Sequence, residues 1–131
     1  MIVVDASAVL ELLLRSETGA AVEARIFAPN ESLHAPELVD LEVAQVLRRY
    51  ERAGGMSAQR AEEALDDLAA LPLERYPHRP LLARVWELRP NLTAYDAAYV
   101  ALAELLEAPL LTCDGALARA PHRARVELAE G

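Results

Sequence analysis

Lysine is absent from this chain of 131 residues, and all thirteen of its basic residues are arginine. A phosphate-cradling Walker A loop needs a lysine on the phosphates, so that class of nucleotide enzyme is excluded. Cysteine occurs once, at Cys113, which rules out an intramolecular disulfide and a cysteine-based zinc site. The three histidines, His34, His78 and His122, stand apart with no H-x-x-x-H or H-E-x-x-H spacing, which argues against zinc. No apolar run approaches the ~18 residues of a membrane span. The first residues lack a basic n-region and reach an acid at position 5, so no signal peptide is expected. The expectation is a soluble, cytoplasmic protein with no membrane partner. No repeat of 20–50 residues and no low-complexity segment is visible.

What the chain does have is apolar mass and acid. Hydrophobic residues make up 53 % of it and charged residues 26 %, enough for a sizeable core in a single domain spanning 1–131. Twenty-one acids against thirteen bases leave a net charge of −8. That argues against a general nucleic-acid coat protein, which would be basic. It leaves room for a nuclease whose acids gather in one cleft around metal ions, and it suits a basic protein partner.

Strand and helix signals alternate. Strands are expected at 1–5, 32–35 (ended by Pro36), 73–76, 110–112 and 126–128. Helices are expected at 7–15, 18–26 with Thr18 as N-cap, 37–53 closed by Gly54-Gly55, 57–71 capped by Ser57, 80–88, 93–107 and 115–120. Such alternation predicts an α/β fold, three layers α/β/α, around a mostly parallel sheet of four to five short strands. The runs Ile2-Val3-Val4 and Leu110-Leu111-Thr112 read as strands buried on both faces. In such sheets ligands bind beyond the carboxyl ends of the strands.

Acids stand at those ends. Asp5 follows the first strand and Asp114 follows the strand 110–112, one residue after Cys113. Asp96 lies one turn into the helix of LTAYDAAYVALAELL, which is apolar nearly all round and therefore buried. Glu42, in ELVDLEVAQVLRRY, falls at the margin of an apolar stripe between Leu38 and Val46. Each acid has a purely structural reading. Asp5 and Asp114 are placed to cap the helices that follow them. Thr93-x-x-Asp96 fits a capping box, and Glu42 is within reach of Arg48 or Arg49. Together they admit a different reading: carboxylates gathered at one sheet edge repel unless a cation sits among them, and Mg²⁺ takes oxygen ligands. Phosphoaspartate enzymes and receiver domains also place an Asp after the first strand, but they use a lysine that this chain lacks.

The remaining candidates are weaker. No G-x-S-x-G elbow surrounds Ser7, which favours a capping or supporting role over a nucleophile. Cys113 reads as a small buried thiol, and Trp86 as core or partner interface. Five arginines lie on or beside the helical middle, Arg48, Arg49, Arg52, Arg60 and Arg75, and one or two of them are candidates for phosphate contact.

Three blocks carry a family resemblance: MIVVDASAVL, APELVDLEVAQVLRR and LTAYDAAYVALAELLEAPLLTCDGALARA, the last being the most specific. Across nearly its whole length the chain resembles the PIN domain, and within it the VapC-type toxins of toxin–antitoxin pairs; the stretch 53–90 contributes little. The resemblance implies an endoribonuclease dependent on Mg²⁺, with Mn²⁺ as substitute, and an acidic pocket formed here by Asp5, Glu42, Asp96 and Asp114. It places Ser7 and Thr112 behind those ligands as orienting groups. It also implies a homodimer or toxin–antitoxin hetero-oligomer, an RNA substrate, and an antitoxin whose basic tail blocks the pocket, a pairing that the net charge favours. Two other readings stand beside it. One is a non-catalytic module of the same fold that binds RNA or a basic protein; the other is a DNA-directed flap-type nuclease, for which the chain is short and lacks basic helical insertions.

Overall fold

A computed structural model describes residues 1–130. Five short strands, β1 (Ile2–Val4), β2 (Leu33–Pro36), β3 (Leu73–Tyr76), β4 (Leu110–Thr112) and β5 (Val126–Leu128), form one sheet in the order β3-β2-β1-β4-β5. Every pairing is parallel, so all five carboxyl ends share one edge. β1, β2 and β4 are buried throughout, as the inner strands of a parallel sheet covered on both faces are. The chain winds outward from β1 in one direction through β2 and β3, and in the other through β4 and β5. The order therefore reverses between β1 and β4, and a crevice opens there beyond the strand ends.

Seven α-helices connect and cover the strands: α1 (Ala6–Leu14), α2 (Glu17–Ile26), α3 (Leu38–Arg52), α4 (Ala58–Ala70), α5 (Leu82–Glu87), α6 (Ala94–Leu106) and α7 (Gly115–Arg119). α6 packs on the sheet, against β1, β2 and β4, and its residues Ala97 to Ala103 are all buried. Its alanines let the helix axis approach the strands closely, while Leu102, Val100 and Tyr99 fill the space between. α1 packs against α2, α3 and α4, and α5 rests on α6. The α1–α2 corner is tight: a Cβ on Gly19 would stand 2.1 Å from the Glu11 carbonyl oxygen, so only glycine fits.

Boundaries differ from the sequence expectation in a few places, each for a local reason. α2 begins two residues early because Ser16 caps it, its Oγ accepting from the Gly19 N–H at 2.9 Å, in place of Thr18. Pro36 belongs to β2 and pairs with Tyr76, since a strand can carry a proline at its end. The helix expected over 80–88 divides into a 3₁₀ turn, Arg79–Leu81, and the short α5. α3 ends at Arg52 with Ala53 as its C-cap, and Gly54 turns at φ 80°, as the Gly-Gly pair foretold. Trp86 is no part of the core: it is 67 % exposed, with the Arg89 guanidinium 4.3 Å above its ring.

The packing of α6 makes one test simple. Leu102 is 1 % exposed and Leu105, on the same helix, 63 %. Leu102→Ala is expected to cost about 2–5 kcal/mol in urea unfolding, and Leu105→Ala within about 0.5 kcal/mol of nothing. Equal losses would mean that α6 does not pack as described.

Candidate functional site

The crevice between β1 and β4 is a pocket of about 570 Å³, and it gathers the four acids singled out in the sequence. Asp5 and Ser7 enter it from the β1–α1 junction, Glu42 from α3, Asp96 from the first turn of α6 and Asp114 from the end of β4. Residues far apart in sequence meet because parallel strands deliver their carboxyl ends to one edge.

Asp5 is the most constrained of them. It is 5 % exposed. Its Oδ1 accepts the Ser7 hydroxyl at 2.6 Å and the Ala8 N–H at 3.0 Å, while Oδ2 accepts the Thr112 hydroxyl. Asp5 is thus the N-cap of α1, as the structural reading held, and it is held in place by two further hydroxyls. A carboxylate has about four acceptor positions, so three donors leave one oxygen able to bind a ligand. Burial is the main influence on its acidity and pushes its pKa up; the hydrogen bonds from Ser7, Thr112 and Ala8 oppose this, and the charge of Asp96 adds to it.

Ser7 and Thr112 form a brace behind Asp5. The Thr112 Oγ1 accepts the Asp114 N–H at 2.9 Å, and the Ser7 Oγ accepts the Cys113 N–H at 2.9 Å. One pair of hydroxyls therefore fixes the Asp5 carboxylate and the backbone that carries Asp114. Asp114 in turn caps α7, its Oδ1 accepting from the Ala116 N–H at 2.9 Å.

Asp96 stands in the first turn of α6, whose N-cap Thr93 accepts the Asp96 N–H at 3.1 Å. Burial raises its pKa, and the neighbouring Asp114 raises it further. Glu42 is half-buried, and burial again raises its pKa, with the charges of Asp96 and Asp5 adding. The pairing with Arg48 or Arg49 that the sequence suggested is not made. Instead the Tyr99 hydroxyl donates to Glu42 Oε1 at 2.6 Å. Tyr99 is a pocket residue that the sequence reading did not single out. The signal was there: it lies three residues after Asp96 on the same helical face, and a buried tyrosine hydroxyl needs a partner.

Among the described residues no ion pair engages Asp5, Glu42, Asp96 or Asp114. Nor do these residues close into a ready-made cage, for no three His, Cys, Asp or Glu side chains are grouped tightly enough to hold a metal ion. The donor set is nonetheless all oxygen, with neither cysteine nor histidine on the pocket wall. Such donors match a hard divalent cation, and like charges left without a counter-charge would be relieved by one.

The rest of the pocket is a helical wall on each side. Leu38, Leu41, Gln45, Val46 and Arg49 of α3 face Tyr95 and Tyr99 of α6, with Leu10 of α1 below. Cys113 is adjacent but not on the wall; burial raises its thiol pKa to about 11, so it is not a ready nucleophile. His34 is buried on β2, bonded to Ser32 and Tyr76, outside the pocket.

Comparison with known proteins accords with this geometry. The PIN domain matches residues 2–123. Ribonuclease VapC12 of Mycobacterium tuberculosis is 42 % identical over 129 residues, covering 98 % of both chains. Among solved structures, VapBC2 of Rickettsia felis, bound to a DNA fragment from its promoter, superposes with a TM-score of 0.73 at 14 % identity, covering 99 % of this chain and 100 % of that one. VapC20 of Mycobacterium tuberculosis, described as a sarcin-ricin loop cleaving toxin, gives 0.69 at 16 % identity, covering 94 % and 97 %. No helix among the described residues is long and apolar enough to cross a membrane. The parallel five-stranded sheet, the acids at its switch point and the match over nearly the whole chain place this protein in the PIN domain family, among the VapC-type proteins.

Proposed function

We propose that the chain is a Mg²⁺-dependent endoribonuclease, with Mn²⁺ able to substitute, and the toxin of a toxin–antitoxin pair. The observation that carries this reading is the meeting of Asp5, Glu42, Asp96 and Asp114 in one pocket, with no ion pair to any of them among the described residues. The name of the VapC12 relative supports ribonuclease activity, and the VapBC2 complex supports an antitoxin partner.

Asp5 and Asp96 would hold the principal ion, and Glu42 and Asp114 would complete the site directly or through water. When bound, the ion lowers the pKa of a coordinated water and offsets the negative charge that would otherwise repel phosphate. The chain's own residues do the rest. The Ser7–Thr112 brace keeps Asp5 in one orientation, as groups behind a metal ligand commonly do. Tyr99 occupies one oxygen of Glu42 and leaves the other for the pocket. Glu42 or Asp96 accepts a proton from the attacking water. Water adds to phosphorus, one P–O bond breaks, and the strand is left with one phosphate end and one hydroxyl end.

The direct test is cleavage of a pool of cellular RNA by the purified protein with Mg²⁺, with Mn²⁺ and with chelator. Cuts at discrete sites that need metal, and that vanish in a folded Asp96→Asn variant, are the expected result. Cutting that survives chelator, or that survives Asp96→Asn, would refute the reading. Asp5→Asn is expected to cost more activity than Asp114→Asn, because Asp114 is exposed and capping while Asp5 is buried and braced; equal losses would overturn that ranking.

Tyr99→Phe keeps the ring in its packed place and frees Glu42. A loss of about 10- to 100-fold in cleavage rate is expected, the usual cost of removing a group behind a ligand. An unchanged rate would make Tyr99 purely structural.

The raised pKa of Asp96 also sets a pH dependence. Without metal, the folded state binds the Asp96 proton more tightly than the unfolded chain does. Below the ordinary pKa of 3.8 the carboxyl is neutral in both states. As pH rises through the folded-state value, the ionised carboxylate destabilises the fold. The melting temperature of Asp96→Asn in chelator should therefore exceed that of the wild type by a margin that opens as pH rises above 3.8. A margin that is constant with pH, or that closes as pH rises, would contradict the assignment.

A further inference from the structure

Of the five arginines singled out in the sequence, the structure separates one. Arg60 is tied to the Leu13 carbonyl at 2.6 Å, and Arg75 to Asp40 at 2.7 Å. Arg48 and Arg52 do not line the acidic pocket; Arg49 does, and it is the single cationic side chain that does so. It is exposed, and no carboxylate pairs with it among the described residues. Glu42, Gln45 and Arg49 stand at i, i+3 and i+7 on α3, one continuous stripe of its surface. Seven residues at 1.5 Å each put the Arg49 backbone about 10 Å along the axis from Glu42. Across the pocket, Tyr95 of α6 is 64 % exposed although it lies next to Asp96 and on the pocket wall. A large aromatic left in water beside a site of phosphate chemistry offers a face to an unstacked base, and a paired base has no face free to take it.

We infer that Arg49 holds a phosphate flanking the scissile one and that Tyr95 stacks a base beside it, so that the bound strand runs along α3. This rests on the ribonuclease reading above and adds the residues that grip the substrate. The net charge of −8 makes the point sharper: a chain that repels RNA overall needs a local cation to seat the strand. Arg49 is that cation, and among the described residues no ion pair ties it to the acids.

The test is binding of a fluorescein-labelled, unstructured RNA 12-mer and of its duplex, by anisotropy in Mg²⁺, to the uncleaving Asp96→Asn protein across a salt series. The strand should bind more tightly than the duplex. Adding Arg49→Gln should weaken strand binding and make the slope of log K against log [salt] shallower by about 0.7, one phosphate contact on a single strand. Arg79→Gln, an exposed arginine outside the pocket, should leave the slope as it was. Tyr95→Ala should weaken binding about 10-fold, a typical stacking loss, and Tyr95→Phe should restore it. In the active protein, Arg49→Gln should raise KM more than it lowers kcat. An unchanged salt slope in Arg49→Gln, equal binding of strand and duplex, unaltered binding in Tyr95→Ala, or no measurable binding of the strand would each overturn the inference. Metal-dependent cleavage by the wild type alongside any of these results would leave the ribonuclease reading standing and remove only this one.

Discussion

Four carboxylates forced toward one another at the carboxyl edge of a parallel sheet are the constraint on which the rest of this structure depends. Burial of these carboxylates costs free energy and raises the pKa values of Asp5, Glu42 and Asp96, with the charge of neighbouring carboxylates adding to it. A fold selected for stability alone would place an apolar residue or an arginine there. Here the surroundings instead hold the acids in place. Hydroxyls brace Asp5, a tyrosine holds Glu42, and helix starts carry Asp96 and Asp114.

The same groups serve both the fold and the site. Asp5 and Asp114 cap α1 and α7, and Thr112 ends β4 while bonding both the Asp5 carboxylate and the Asp114 N–H. For Asp5 and Asp114, a capping role therefore does not exclude a ligand role. A cap occupies some of a carboxylate's acceptor positions and fixes its direction; the remaining positions stay open to the pocket. Rigidity gained from capping is what a site of this kind needs.

Much of this was legible in the sequence because the signals were strong and local. Unbroken apolar runs marked β1 and β4 as central strands, and the acids that follow them could only lie at the strand ends. The PIN-like blocks coincide with the elements that build the pocket. What could not be read depended on contacts between elements. Nothing local marks Tyr99 as the partner of Glu42, since the two are brought together by the packing of α6 beside α3. Arg49 and Arg75 looked alike in sequence, yet one lines the pocket and the other is spent on Asp40. The 3₁₀ turn before α5 and the early start of α2 turned on single hydrogen bonds and one proline, which periodicity does not resolve.

The central claim is that these acids are arranged for a divalent cation. It is tested most directly by a crystal structure of the protein grown with Mn²⁺ and recorded at the manganese absorption edge. The account predicts an anomalous peak between Asp5 and Asp96, with Glu42 and Asp114 drawn in toward it directly or through water. An empty pocket at saturating Mn²⁺, or a peak away from these four residues, would contradict it.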